Sequence, residues 1–188
     1  MKKYNMMLAG AAVLVCAVIA WLSFSIGTVL AADTPEGQFN PAGGTYIAEE
    51  YQMYCAEIGE RYHICPELLT AMIEAESSGR AGAVNGACVG LLQVNPQWHK
   101  ARMRRLGVSD LTDAYGSILV AADYLAELFA ENEDLYLVLM KYNMPNRSAE
   151  KYYNQGIYSE YAVSIAEPAA ELERIRERRE AVWGKADC

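Results

Sequence analysis

A glutamate on the apolar side of a short helix is the residue in this chain best placed to do chemistry. The stretch from Pro66 to Ser77 opens on proline, a favoured first helical residue, and runs into Ser77-Ser78-Gly79, a helix stop. At about 100° per residue, Leu69, Met72, Ile73 and Glu76 share one face, while Glu74 points to the opposite side, toward solvent. A carboxyl turned toward an apolar interior or a cleft wall resists ionisation, so its pKa rises and it holds a proton near neutral pH. That is what a general acid requires. The plainer alternative is a fraying helix end, where any residue reaches water.

After the glutamate, residues 79–89 are rich in Gly and Ala, and Gly90-Leu91-Leu92-Gln93-Val94-Asn95-Pro96 follows. Small residues let backbone approach whatever Glu76 faces, and Gln93 brings an amide that both donates and accepts hydrogen bonds. Glu76-Ser77 closing an apolar helix, then Gly-Leu-Leu-Gln-Val-Asn-Pro, then Tyr142-Asn143, resembles the soluble lytic transglycosylase family, related to goose-type lysozyme. The resemblance runs from about Tyr62 to Ala166.

The resemblance implies an all-α, lysozyme-like domain around a buried central helix. It also implies an activity: cleavage of the β-1,4 bond between N-acetylmuramic acid (MurNAc) and N-acetylglucosamine (GlcNAc) in peptidoglycan. Glu76 would act as acid and then as base, the substrate's own C6 hydroxyl would attack, and a 1,6-anhydro sugar would result. Ser77 then orients the acid or touches sugar, Gln93 lies in the sugar groove, Tyr142 hydrogen-bonds near the acid and Asn143 shapes the cleft. Tyr161 matches the late tyrosine on the helix that closes the groove. Each has a plainer reading beside it. Ser77 caps its helix, Gln93 satisfies loop backbone, Asn95 completes the turn before Pro96, Asn143 is a C-cap, and Tyr161 packs like any amphipathic residue. No cofactor or metal is implied.

Three residues depart from the family pattern. Pro145 stands where glycine usually follows Tyr-Asn-Met, Ser117 stands where asparagine often precedes the buried helix's isoleucine, and Leu92 replaces a methionine. Pro145 matters most, because it changes the loop beside the cleft. Two rival functions remain open at this level. Goose-type lysozymes share the pattern and use water, which makes a hydrolytic muramidase the nearest rival. A non-catalytic wall-binding scaffold would be expected to lose the acid, and Glu76 is present. Ordinary glycosidases need a second carboxylate. None stands beside Glu76, since Glu74 faces away and Asp110 and Asp113 sit near a turn and a helix start.

The bulk of the chain sets bounds. Its 188 residues hold one ordinary domain and an extra segment. That segment is residues 1–32, where Lys2-Lys3 precede an uncharged run from Met6 to Ala32. This exceeds the about 7–15 apolar residues of a signal peptide and suffices for the about 20 needed to span a bilayer. A retained single-pass anchor is expected, with cleavage after Val29-Leu30-Ala31-Ala32 as the alternative. Cytoplasmic lysines would place everything from Asp33 onward outside, in contact with peptidoglycan and within reach of an envelope-spanning secretion or conjugation machine. The net charge is −8, and −10 without the lysines of the first segment, a poor balance for nucleic acid. Lys100-Ala101-Arg102-Met103-Arg104-Arg105 is a local exception, either a solvated face or a patch for anionic wall polymer. Beyond Cys16, an exported domain offers Cys55, Cys65, Cys88 and Cys188 for disulfides. A Cys65–Cys88 bridge would fix the cleft wall, but pairing does not follow from sequence. Their spacing does not fit a compact zinc site, and His63 reads as structural.

The elements that must position Glu76 read as helices throughout. Residues 33–44 form a linker, 45–167 the catalytic-type domain and 168–188 a charged helix or tail. Thr45 is a plausible N-cap for a helix to about Arg61. A short helix spans Pro96 to Leu106. The helix from Asp113 to about Glu131 carries Ile118-Leu119-Val120-Ala121-Ala122, apolar on nearly every side, and belongs at the core. Further helices run from Asp134 to Tyr142, Ser148 to Asn154, and Tyr158 onward, with Pro168 kinking or dividing the last. Residues 171–180 alternate in charge and read as solvated. No strand pattern is evident.

Overall fold

The computed structural model describes residues 44–183, so the expected anchor, its lysines and most of the linker lie outside the described residues. Among the described residues no helix is long and apolar enough to cross a membrane. The chain forms α1 (Glu49–Tyr62), α2 (Pro66–Ser77), β1 (Val84–Asn85), β2 (Cys88–Val89), α3 (Lys100–Leu106), α4 (Ala114–Glu131), α5 (Leu135–Asn143), α6 (Asn146–Tyr153) and α7 (Glu160–Trp183). The mostly helical architecture agrees with the expected all-α, lysozyme-like class. The small antiparallel pair of β1 and β2, with Val84 opposite Val89, was not expected. Two residues per strand are too few for a period of two to show in sequence.

Ile118, Val120, Ala121, Ala122 and Leu125 of α4 are fully buried, as a helix without a polar face requires. Asp113 caps it by accepting from the Gly116 N–H. A second helix is nearly as enclosed. Leu68 through Ile73 of α2 are all buried, because α1 packs on one side and α7 on another. The apolar face of α2 is thus wider than helical spacing alone indicates. Gly59 permits the tight turn into it, since a Cβ there would sit 2.5 Å from the Ile64 carbonyl oxygen.

Several boundaries differ from expectation. Thr45 does not cap α1; its hydroxyl donates to Glu74 and accepts from the Ile47 N–H, and the helix begins at Glu49 without a side-chain cap. Glu74 is therefore half-buried and engaged, not simply offered to solvent. Pro168 neither ends nor divides α7; it lies exposed within a continuous helix. The far part of α7 is not merely solvated either. Arg176 Nε donates to Glu67 at 2.6 Å, tying the long helix to the first turn of α2.

Candidate active site

Glu76 sits in the last turn of α2, and its Oε1 accepts a 2.6 Å hydrogen bond from the Tyr161 hydroxyl. Burial pushes the carboxyl up to about 7, and the Tyr161 bond, which favours the charged form, pulls the other way. Tyr161 lies in the first turn of α7, so the packing of α7 on α2 delivers its phenol to the acid. Burial, the Glu76 charge and Tyr142 raise the Tyr161 hydroxyl well above the ordinary tyrosine range, so it stays a proton-bearing donor.

Tyr142, in the last turn of α5, feels the Glu76 charge, but its hydroxyl donates elsewhere, to the Leu92 carbonyl at 2.8 Å. The bond near the acid expected of Tyr142 is made by Tyr161. Tyr142 instead ties α5 to the loop that carries Gln93. That loop is pinned from below as well. Gly90 adopts φ 87°, and a Cβ there would approach the Leu111 carbonyl oxygen to 2.0 Å, so only glycine fits. Ser117 Oγ, fully buried in α4, accepts from the Leu92 N–H at 3.2 Å. The serine that departs from the family pattern is thus the loop's anchor.

Gln93 is buried in the left-handed region at φ 46°, a conformation uncommon for a residue with a Cβ. Its Nε2 donates to the Gly90 carbonyl at 2.9 Å and the Ala83 carbonyl at 3.2 Å. Its Oε1 has no partner among the described residues. The side chain therefore satisfies loop backbone while the residue lines the cleft, and its Oε1 is buried. Asn95 completes the turn as expected, its Oδ1 accepting from the Gln97 N–H at 2.9 Å. Ser77 does not reach the cleft; it is buried and its hydroxyl donates to the Ile73 carbonyl within α2.

Glu76, Gln93, Tyr142 and Asn143 share one cleft of about 390 Å³, within the usual range of ligand sites. Trp98, His99, Tyr124 and Lys141 line it too, and sequence reasoning named none of them as site residues. The His99 and Tyr124 rings lie 4.6 Å apart and those of Tyr124 and Tyr142 5.5 Å apart, making an aromatic wall. Arg102 braces it, with its guanidinium 5.1 Å from the Tyr124 ring centre and its Nε donating to His99 Nδ1 at 3.3 Å. Burial and Arg102 lower the His99 pKa, so the ring is neutral with its proton on Nε2.

Pro145 also lines the cleft and flanks α6 as its N-cap residue, accepting from the Ser148 N–H at 2.8 Å. Buried Lys141 bridges the same loop, bonding Asn132 Oδ1 at 3.0 Å and Glu150 at 2.7 Å. The proline thus sits in a loop held on both sides. Half of the basic run of α3 is committed to ion pairs: Arg102, largely buried, pairs with Asp123 and Glu127, and exposed Arg105 with Asp123. Within that run, Lys100 and Arg104 are exposed and make no ion pair among the described residues. Cys88 is disulfide-bonded, whereas Cys55 and Cys65 are free, so the Cys65–Cys88 bridge considered above does not form. Cys65 instead donates to Glu67 at 3.0 Å.

A lone shielded carboxyl in a concave, ring-lined cleft suits a glycan better than a charged polymer. Residues 53–161, more than half of the chain, match the family described as Transglycosylase SLT domain, and the protein belongs to that family. The family's transglycosylase-type function is exerted on peptidoglycan, which makes that polymer the substrate class.

Proposed function

We propose that the protein is a peptidoglycan lytic transglycosylase that cleaves the MurNAc-β-1,4-GlcNAc bond and leaves a 1,6-anhydroMurNAc end. The observation that carries this reading is the state of Glu76. Among the described residues lining the cleft it is the only carboxylate, and burial raises it to about 7. A carboxyl at that value is part protonated and part ionised near neutrality, which serves one group acting twice.

In the first half-reaction, Glu76 gives its proton to the glycosidic oxygen as the bond from that oxygen to the MurNAc anomeric carbon breaks. Positive charge builds on the sugar, and Glu76 is left ionised. The substrate's C6 hydroxyl then bonds to the anomeric carbon and its proton passes to Glu76, restoring the acid. Holding the hydroxyl in place makes this attack intramolecular, where effective molarities reach about 10⁵–10⁸ M, far above water. Tyr161 positions the carboxyl, and its hydrogen bond keeps Glu76 from becoming so basic that it could not release its proton. Gln93, Tyr142 and Asn143 shape the wall. Residues 1–32 would hold this domain at the outer face of the membrane, where local wall opening for a secretion, conjugation or growth machine takes place.

The test is mass spectrometry of muropeptides released from peptidoglycan by the full chain. The expected products resist borohydride and are one water lighter than hydrolysis products. Reducible ends as the main product would place the protein among the hydrolytic muramidases, with Glu76 still its acid.

A further inference from the structure

Trp98 is a large apolar side chain left 73% exposed at the rim of the cleft that holds Glu76. Exposed single apolar residues are common, but this one differs in how it is held. Its turn is rigid: Asn95 Oδ1 accepts from the Gln97 N–H at 2.9 Å and the Trp98 N–H at 3.4 Å, while the Asn95 carbonyl accepts from the His99 N–H at 3.1 Å. Asn95 is itself buried, so the indole stands on a fixed base and loses little backbone freedom when something lands on it. The next residue, His99, opens the aromatic wall that runs through Tyr124 to Tyr142, beside the acid.

We propose that Trp98 is a sugar-binding platform at the rim of the cleft, stacking against the apolar face of a pyranose in the glycan strand. This rests on the reading of the cleft as a peptidoglycan site and adds a subsite to it. A pyranose ring presents C–H groups on its face and hydroxyls around its edge. An indole covers the C–H face by dispersion and takes nothing from the hydroxyls, which stay in water. The cleft supplies continuity: a strand engaged at Glu76 has its neighbouring sugars in reach of the same lining. No charged group of the turn competes, since Pro96, Gln97 and Trp98 are neutral and His99 is held neutral by its bond from Arg102.

The test uses the full chain with Trp21 and Trp183 replaced by phenylalanine, so that Trp98 is the sole indole. A β-1,4-linked GlcNAc tetramer, which lacks any stem peptide, should shift Trp98 emission to the blue in a saturable way, whereas a free stem peptide should not. In the otherwise native chain, W98A should raise KM for peptidoglycan about tenfold, as loss of an aromatic anchor does, with kcat nearly kept. W98F should restore most of it. Absence of a tetramer-dependent shift overturns the proposal, as does a shift with stem peptide alone, or a W98A effect confined to kcat. The fluorescence result decides this subsite even if the wild-type chain releases no muropeptides, an outcome that would sink the catalytic reading instead.

Discussion

Two enclosed carboxylates, Glu76 on α2 and Asp123 on α4, meet opposite fates in the same small domain. Burial pushes both toward the protonated form. At Asp123 that push is outweighed by hydrogen bonds and charge from Arg105 and Arg102, with the Tyr62 hydroxyl donating as well, so the carboxyl stays below its ordinary value. At Glu76 the one hydrogen-bond partner among the described residues is a neutral phenol, and the carboxyl rises to about 7. At Asp123 the counter-charge overturns the effect of burial, and at Glu76 no cation opposes it. One region has spent its arginines on holding α3 against α4. The other withholds cations from its acid and keeps it able to give up a proton.

Swapping each carboxylate for its amide is the harshest way to break this comparison. E76Q should lower kcat on peptidoglycan by about 10²–10⁴-fold, because the amide keeps the shape and still accepts from Tyr161 but delivers no proton. It should also be the more stable protein at high pH. The native state holds a Glu76 proton that the unfolded chain has lost between pH 4.5 and about 7, so wild-type stability falls as pH rises through that window. The difference should reach at most about 3 kcal/mol above pH 7 and vanish below 4.5 in urea unfolding of the two proteins.

D123N should do the reverse. It leaves the largely buried Arg102 with Glu127 as its carboxylate partner and should cost about 1–2 kcal/mol near neutral pH, read in the same unfolding experiment. The Asp123 contribution is present above its unfolded value of 3.8 and is lost as pH falls through the lower folded value, so the deficit should close in acid. Stability unchanged by D123N at pH 7 would mean that the arginine pair is decoration. The smallest effect should come from E74Q. Its amide oxygen still accepts from Thr45, it is absent from the cleft, and turnover should change by less than about twofold. A dead E74Q with an active E76Q would reverse the assignment of the two acids on α2.

Much of the cleft wall could be read from the residues in order, because its cues are local. Helical spacing put Glu76 on the inner face of α2, the glycine loop announced a close approach, and the apolar run of α4 announced the core. What escaped depends on contacts between segments distant in sequence. The resemblance names Tyr161 as well as Tyr142, but that the phenol reaching Glu76 is the one 85 residues on follows from no local pattern. The His99–Tyr124–Tyr142 wall joins three helical regions that only the tertiary packing brings together. The basic run of α3 reads as an exposed patch because Asp123 and Glu127, which pair with Arg102 and Arg105, lie 18 to 25 residues further along the chain on α4. Trp98 was within sight. It follows the Gly-Leu-Leu-Gln-Val-Asn-Pro motif after one residue, where a turn leaves a large aromatic little to pack on.

The central claim is that one carboxyl, Glu76, does both proton transfers, and the pH dependence of kcat/KM for the full chain on peptidoglycan tests it most directly. Free enzyme must carry a protonated Glu76 to begin, so kcat/KM should be level in mild acid and fall with a single ionisation near pH 7. A bell-shaped profile, with a second ionisation in the ordinary carboxylate range on the acid side, would show a separate carboxylate base at work and contradict the one-acid account.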